Sequence, residues 1–148
     1  MLTTRDYYRG ITSSVTSTLR LWQGTSVIKK NIGKYQEGQM LKLYDLEGCP
    51  FCRLAREALT ELDLDVEIIP VAKGDTETRE ALKALGGKVQ MPYLIDPNTG
   101  VQMYESFDIV NYLYDQYGNG RKRSRVMHVI AEMTSMLASA TRYGKGIR

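Results

Sequence analysis

The sequence is poor in the residues that build disulfide scaffolds and zinc sites. Its 148 residues include two cysteines, Cys49 and Cys52, and one histidine, His128. Two cysteines are too few for the disulfide framework of a small secreted domain. A structural zinc ion needs four ligands, so no metal is expected within one chain. No apolar run approaches about 18 residues, so the sequence predicts no membrane-spanning helix.

The sequence also lacks a strong excess of either charge. The formal net charge is only +3, and 25% of the residues are charged, which is close to the average for globular proteins. Nucleic acid is therefore not expected as a partner. The basic cluster at 121–125 is interpreted as a solvated linker or the start of a helix, and a polyanion site is the alternative.

The N-terminal stretch, 1–34, is basic and rich in serine and threonine, with Asp6 as its single acid. This composition weakly resembles an organelle transit segment, and an N-terminal extension that stays on the protein explains it equally well. The expected location is the cytoplasm. An organelle such as a plastid is the alternative if the segment is cleaved.

The most informative motif is Cys49-Pro50-Phe51-Cys52, which lies between a strand-like run and a helical run. At such a turn, the N–H groups and dipole of the helix favour a thiolate. Cys49 is therefore the candidate nucleophile, and Cys52, one turn further in, is the candidate resolving thiol. A metal half-site and two incidental buried thiols are the alternatives. Arg53 is expected to add positive charge near Cys49.

Other charged residues lie close to the motif in sequence. Lys42 is a second candidate cation beside Cys49, whereas Asp45 and Glu47 would oppose the thiolate if they point inward.

Around the motif, apolar patterning predicts one α/β domain at 39–118, with helical extensions at 1–38 and 119–148. Four strands are predicted at 40–45, 66–71, 92–95 and 101–104. Helices are predicted at 50–62, 76–85 and 106–117. The first two strands should be parallel, because a helix connects them, and the last two should form a hairpin.

The helical patterns also predict which side chains are buried. The first helix should bury a stripe of five residues: Leu54, Ala55, Ala58, Leu59 and Leu62. Its solvent face should hold Arg53, Arg56, Glu57 and Glu61. The last helix should be capped by Ser106 and should bury Phe107, Val110, Leu113, Tyr114 and Tyr117. His128 is expected to be a packing histidine rather than a catalytic base.

The order of these elements resembles the thioredoxin fold, with a four-stranded mixed sheet flanked by about three helices. Within that fold, the Cys-Pro-aromatic-Cys motif is similar to that of glutaredoxins. Gln90-Met91-Pro92 resembles the segment with a cis-proline before the third strand. Glu105-Ser106 resembles the Glu-Ser signature of glutathione S-transferase N-terminal domains. The resemblance covers about residues 40–118.

The resemblance implies a glutathione site. Met91 and a cis Pro92 would pair with the cysteinyl part of the ligand, while Glu105 and Ser106 would hold its γ-glutamyl end. Pro50, Phe51 and Arg53 are further candidate ligand residues.

The implied function is that of a glutathione-dependent thiol–disulfide oxidoreductase. Glutathione would be the co-substrate, and disulfides or glutathionylated proteins would be the substrates. The alternatives are a non-catalytic glutathione-binding or interaction module, a transferase-like protein, and a dimer that bridges an iron–sulfur cluster. A homodimer is also left open.

Two features depart from the transferases. The stretch after Gly118, at 119–148, is too short for a helical second domain, and a cysteine occupies the position of the activating hydroxyl.

The two ends of the sequence are similar to each other. Residues 17–24 resemble residues 139–146, at an offset of 122. This similarity indicates either one unit of a tandem protein or chance likeness between two low-complexity helices. An apolar stripe of Met127, Met133 and Met136, with Trp22 as an anchor, is expected to pack on the domain, on the N-terminal helix near residues 15–21 or on a second copy.

Overall fold

The computed structural model describes residues 11, 14–15, 17–19, 21–22, 24–34 and 38–141, apart from the side chains of 127, 135 and 138–141. The second segment of the end-to-end similarity, at 139–146, therefore lies largely outside the described residues. None of the described helices is long and apolar enough to cross a membrane.

Four short strands form one mixed sheet. They are β1 (Leu41–Asp45), β2 (Val66–Pro70), β3 (Tyr93–Asp96) and β4 (Val101–Tyr104). The strand order is β2-β1-β3-β4. β1 pairs in parallel with β2 and antiparallel with β3, and β3 pairs antiparallel with β4. The predicted mixed sheet, its parallel first pair and its hairpin are confirmed.

Helices cover both faces of the sheet. Between residues 41 and 141 the structure has α1 (Pro50–Glu61), α2 (Thr76–Gly86), α3 (Ser106–Tyr117) and α4 (Arg125–Thr141). α1, α3 and α4 contribute to one apolar cluster, centred on Leu43, Leu54 and Leu113. α2 contributes Leu82 to a smaller cluster with Tyr44, Val71 and Tyr93. The thioredoxin-like fold is therefore confirmed, and its two layers of helices hold the sheet between them.

The predicted buried stripe of α1 is confirmed, because all five of its members are buried. The expectation that Glu57 faces water is wrong. Its side chain is only 8% exposed and bonds Arg53 at 3.1 Å, with Arg123 at 3.6 Å. Two guanidinium groups offset the loss of hydration that burial imposes on the carboxylate.

The start of α3 also differs from the expectation. Ser106 is not the cap but the first helical residue, and Glu105 occupies the N-cap position without a side-chain cap bond. Glu105 has a φ of 68°, in the left-handed region. Phe107, expected on the buried face, is 38% exposed, while Ile109 is fully buried in its place. Ile109 shares the buried face with Ser106, Val110 and Leu113 at helical spacing, whereas Phe107 lies off that face.

The C-terminal extension packs onto the domain through α4. Ala131 and His128 are buried, at 0% and 2% exposure. His128 is therefore a packing residue, as predicted. Met133, Met136 and Trp22 are 66%, 46% and 53% exposed, so these side chains do not pack on the described part of the domain, and packing of the stripe on a second copy stays a prediction. The side chain of Met127 lies outside the described residues.

Candidate active site

The thiol motif lies where β1 leads into α1. Pro50 is the first residue of α1, where the missing N–H of a proline leaves no helical bond unmade. Cys49 is the N-cap, and its Sγ accepts a hydrogen bond from the N–H of Cys52 at 3.5 Å. Both thiols are free, with Cys49 5% exposed and Cys52 fully buried. The predicted placement of the two sulfurs is confirmed.

This placement separates the acidities of the two thiols. The pKa of Cys49 is lowered to about 7, chiefly by the hydrogen bond from the Cys52 thiol and also by the N–H groups of Cys52 and Phe51, against the effect of burial. The same thiol–thiol bond, together with burial, raises the pKa of Cys52. Near neutral pH, Cys49 therefore holds the thiolate and Cys52 the proton.

Nearby cationic side chains do not stabilise this thiolate. The expectation that Arg53 and Lys42 support it is not met, because Arg53 bonds Glu57 at 3.1 Å and Lys42 bonds Glu67 at 3.3 Å.

A buried carboxylate acts in the opposite direction. Asp45, 4% exposed, raises the pKa of both thiols. Its Oδ2 bonds Arg56 at 3.1 Å, whereas its Oδ1 is buried without a partner among the described atoms. Helix N–H groups and the second thiol therefore stabilise the Cys49 thiolate, and cations do not.

Cys49 lies at one wall of a cavity of about 360 Å³. The peptide bond between Met91 and Pro92 is cis, as predicted, and both residues line the cavity. Ser106, at the start of α3, and Glu105 lie on another wall. The cavity thus joins the thiol, the start of a strand and the start of a helix.

The N-terminus of α3 makes this cavity suitable for an anionic group. The first N–H groups of a helix have no partner within the helix, and its dipole favours negative charge there. Glu105 Oε1 accepts a hydrogen bond from Gln90 Nε2 at 2.6 Å and lies 3.8 Å from Lys88 Nζ. These contacts bind the Glu105 carboxylate to Gln90 and Lys88. A carboxylate at the α3 N-terminus and an ammonium near Glu105 are the charges that the cavity can accept.

Six of the nine candidate site residues share this cavity, which is lined by Cys49, Phe51, Met91, Pro92, Glu105 and Ser106. Cys52 lies behind Cys49 in the core, and Pro50 and Arg53 do not line the cavity.

Five further residues line the cavity: Leu46, Val89, Gln90, Phe107 and Glu132. Of these, only Gln90 lies in a motif singled out from the sequence. Nothing in the sequence near Glu132 indicates this role, because α4 is brought to the thiols only by tertiary packing.

His128 packs against Phe107 and Glu132, two of the lining residues just named. Its ring meets Phe107 edge to face, with the ring centroids 4.6 Å apart, and its Nε2 lies 3.9 Å from Glu132 Oε1. Burial lowers the pKa of His128, so the imidazole is neutral near pH 7. Among the residues that the structure describes, no group of three His, Cys, Asp or Glu side chains could hold a metal ion.

Residues 43–122, just over half of the chain, match the family model of the glutathione S-transferase N-terminal domain. This segment contains every candidate site residue named above except Glu132 and His128. No curated protein matches the chain.

Several solved glutathione transferases are similar in structure. The enzyme from the Antarctic clam Laternula elliptica is 25% identical, with a TM-score of 0.49, and the match covers 54% of this chain and 36% of the clam chain. A transferase from the silkworm Bombyx mori is 26% identical, with a TM-score of 0.47, and the match covers 53% and 36% of the two chains. A transferase from Ceriporiopsis subvermispora, solved with glutathione, is 19% identical, with a TM-score of 0.46 and coverage of 72% and 61%. The chain thus spans about a third of the length of the clam and silkworm proteins.

Proposed function

The chain belongs to the glutathione S-transferase N-terminal domain family, and from this premise we propose that it is a glutathione-dependent thiol–disulfide oxidoreductase. Its substrates would be disulfides or glutathionylated proteins. The observation that carries the proposal is the position of Cys49, which caps α1 with a lowered pKa and faces a cavity that also contains Met91, Pro92 and Ser106.

Each wall of the cavity suits one part of glutathione. The backbone at Met91, which precedes β3 and lies outside its strand pairing, would pair with the cysteinyl backbone of the ligand, as an extended peptide does when it pairs through main-chain hydrogen bonds. The N-terminus of α3 at Ser106 would hold the γ-glutamyl carboxylate, and Glu105 would accept a hydrogen bond from the neighbouring ammonium. The sulfur of the ligand would then lie toward Cys49.

The reaction follows as two exchanges. The Cys49 thiolate attacks the glutathione sulfur of a glutathionylated protein, which forms a Cys49–glutathione disulfide and releases the protein thiolate. A second glutathione thiolate then attacks the glutathione sulfur of that mixed disulfide, which releases oxidised glutathione and restores the Cys49 thiolate. The glutathione released from the protein and the second glutathione thus end as one disulfide, while the protein regains its thiol.

Cys52 offers a second route for the resolving step. Its thiol can attack Cys49 Sγ and release reduced glutathione, which leaves a Cys49–Cys52 disulfide for later reduction by two further glutathiones. The bond to Cys49 and burial raise the pKa of Cys52 in the resting protein, so this sulfur stays protonated until Cys49 has reacted. Cys49 is therefore required for turnover by either route, whereas Cys52 is required as an attacking thiol only for the second.

A coupled assay tests the proposal. The rate at which glutathione reduces a glutathionylated peptide is measured for the wild type, Cys49→Ser and Cys52→Ser. We expect Cys49→Ser to lose the catalysed rate and Cys52→Ser to retain a substantial part of it. Equal rates for the wild type and Cys49→Ser would refute the proposal.

The same preparations separate the alternatives. Calorimetric binding of glutathione without turnover in the wild type would favour a non-catalytic binding module. Conjugation of glutathione to an aromatic electrophile, at a rate unaffected by Cys52→Ser, would favour transferase chemistry. Iron in protein purified without oxygen would favour the cluster-bridging dimer.

A further inference from the structure

A second, larger cavity lies away from the thiols. It has a volume of about 870 Å³ and is formed by residues 26–30 and 118–124 together with Glu61 and Tyr114. We call it the basic groove. It shares no lining residue with the cavity beside Cys49. Its volume lies within the range of small-molecule sites, about 300–1,000 Å³.

The basic groove carries a concentration of positive charge. Lys29 and Lys30 come from one stretch of chain, and Arg121 and Lys122 come from the other. All four side chains are exposed, and none of them forms an ion pair with another residue that the structure describes. Arg123 differs from them, because its side chain is 4% exposed and lies 3.6 Å from Glu57. Four cations are thus available to a ligand.

The single acidic residue of the groove is already engaged. Glu61 Oε1 accepts a hydrogen bond from the N–H of Gly24 at 3.1 Å, and Glu61 Oε2 accepts one from the Tyr114 hydroxyl. Burial and the neighbouring Glu61 raise the pKa of Tyr114, so its hydroxyl remains a neutral donor. The carboxylate therefore faces these partners and leaves the groove with an excess of positive charge.

The two cationic stretches are held together by a buried polar contact. Asn31 follows Lys30 directly, is fully buried, and its Oδ1 accepts a hydrogen bond from Asn119 Nδ2 at 3.3 Å. Asn119 lies two positions before Arg121. Asn31 Nδ2 in turn donates to the carbonyl of Tyr117 at 2.8 Å. Like charges are thus kept side by side before any ligand binds, and such preorganisation reduces the entropic cost of binding.

We propose that the basic groove binds a soluble anion that carries two or more phosphate groups, such as a nucleoside triphosphate. A single phosphate has a charge of about −1.5 to −2 and would leave part of the positive charge of four cations uncompensated. A chain of phosphates matches that charge more closely. This assignment does not depend on the thiol chemistry, and it selects the polyanion alternative for the basic cluster at 121–125.

Calorimetry with inorganic tripolyphosphate and with ATP, both without divalent cations, tests the assignment. The full chain is titrated at about 0.15 M salt, where exposed charges more than about 8 Å apart are largely screened. We compare the wild type with Arg121→Gln/Lys122→Gln. The matched control is Lys73→Gln/Lys83→Gln, which removes the same charge from exposed positions outside the groove.

We expect both probes to bind the wild type, and the groove variant to bind about tenfold more weakly, while the control stays within about twofold of the wild type. Lys29→Gln/Lys30→Gln supplies a second groove variant if the first one unfolds at a lower temperature. Absence of binding to the wild type, or equal weakening by the control, would overturn the assignment. Binding of a single-stranded RNA without binding of tripolyphosphate would overturn it in favour of a polynucleotide. Cys49→Ser should leave tripolyphosphate binding unchanged.

Discussion

The acidity of Cys49 depends on a neighbour that is itself a thiol. The Cys52 thiol is the largest cause of the lowered pKa, ahead of the backbone N–H groups of α1, and buried Asp45 acts against both. A hydrogen bond to a thiolate favours the charged form because it replaces part of the lost hydration. Besides its proposed resolving role, Cys52 therefore lowers the pKa of Cys49, the proposed nucleophile, before any disulfide forms.

This second role predicts a change in reactivity on substitution of Cys52. In Cys52→Ser the rate of Cys49 alkylation by iodoacetamide should still rise with pH around 7, since the serine hydroxyl can donate to the thiolate. In Cys52→Ala the midpoint of the Cys49 alkylation rate against pH should move up toward the ordinary thiol pKa of about 8.5. The pKa of Cys49 should rise because alanine removes the hydrogen-bond donor that stabilises the thiolate. Coincident midpoints for the two variants would contradict the prediction.

The sequence predicts the Cys49 site well for a local reason. All the signals that place Cys49 lie between Leu41 and Leu62. They are the preceding strand, the proline at the first helical position and the apolar stripe of α1, and together they fix the backbone of the turn. The engagement of Arg53 with Glu57 is not predictable in this way, because Arg123, which follows α3, helps to bury that carboxylate. Side-chain partners so far apart along the chain leave no periodic signal in a sequence.

At the scale of elements, the starts of two helices differ in how far they can be predicted. The start of α1 follows from Pro50, whereas the start of α3 depends on a φ of 68° at Glu105. Glutamate rarely adopts that conformation, so local preference argues against it and the surrounding fold imposes it. This backbone turn leaves Ser106, only 5% exposed, as the first helical residue at the cavity wall.

The position of Ser106 predicts a defect in glutathione binding. Ser106→Ala should raise the KM for glutathione about tenfold, because a hydrogen bond to a charged group contributes about 1.5–3 kcal/mol, and should leave the pKa of Cys49 unchanged. Steady-state kinetics and the alkylation profile measure the two effects. Thr76→Ala, at the first position of α2 and outside this cavity, is the matched control. An unchanged KM in Ser106→Ala would place the carboxylate elsewhere.

The end of α2 depends on the absence of a side chain at Gly86. A Cβ at this position would lie 2.1 Å from the Tyr104 hydroxyl oxygen, which donates to the Lys88 carbonyl at 2.6 Å. Gly86→Ala should therefore destabilise the protein by about 1–2 kcal/mol, although alanine is the better helix former.

A double-mutant cycle tests this contact. Denaturant unfolding of Gly86→Ala is compared in the wild-type and Tyr104→Ala backgrounds. In the second background, Gly86→Ala should be neutral or stabilising, because the overlapping ring is gone. An equal loss of stability in both backgrounds would show that the Tyr104 ring is not the cause.

At the scale of the whole molecule, one buried asparagine joins three distant parts of the chain. Asn31 Nδ2 donates to the carbonyls of Tyr117 at 2.8 Å and Leu62 at 3.4 Å, and Asn31 Oδ1 accepts from Asn119. No pattern in the sequence indicates this link, since the partners of Asn31 lie 31 to 88 positions away from it along the chain. It ties the segment before β1 to the ends of α1 and α3.

Removal of this link should loosen the segment before β1. Asn31→Ala leaves two buried carbonyls without their donor, at a cost of about 1–3 kcal/mol in unfolding free energy. Trypsin should then cleave faster after Lys29, Lys30 and Lys34. Asn111→Ala, a partly exposed asparagine on α3, serves as the control. Unchanged cleavage in Asn31→Ala, or equal acceleration in Asn111→Ala, would contradict the prediction.

The contribution of Glu132 to the cavity beside Cys49 has an evolutionary consequence. The thiols, Pro92 and Ser106 all lie within the segment that matches the family, whereas Glu132 lies on α4, beyond its end. Mutations in α4 can therefore change one wall of the cavity without touching the residues proposed to carry out the exchange. Under the proposed function, proteins with the same thiol pair can differ in substrate preference through a helix that lies outside the matched segment.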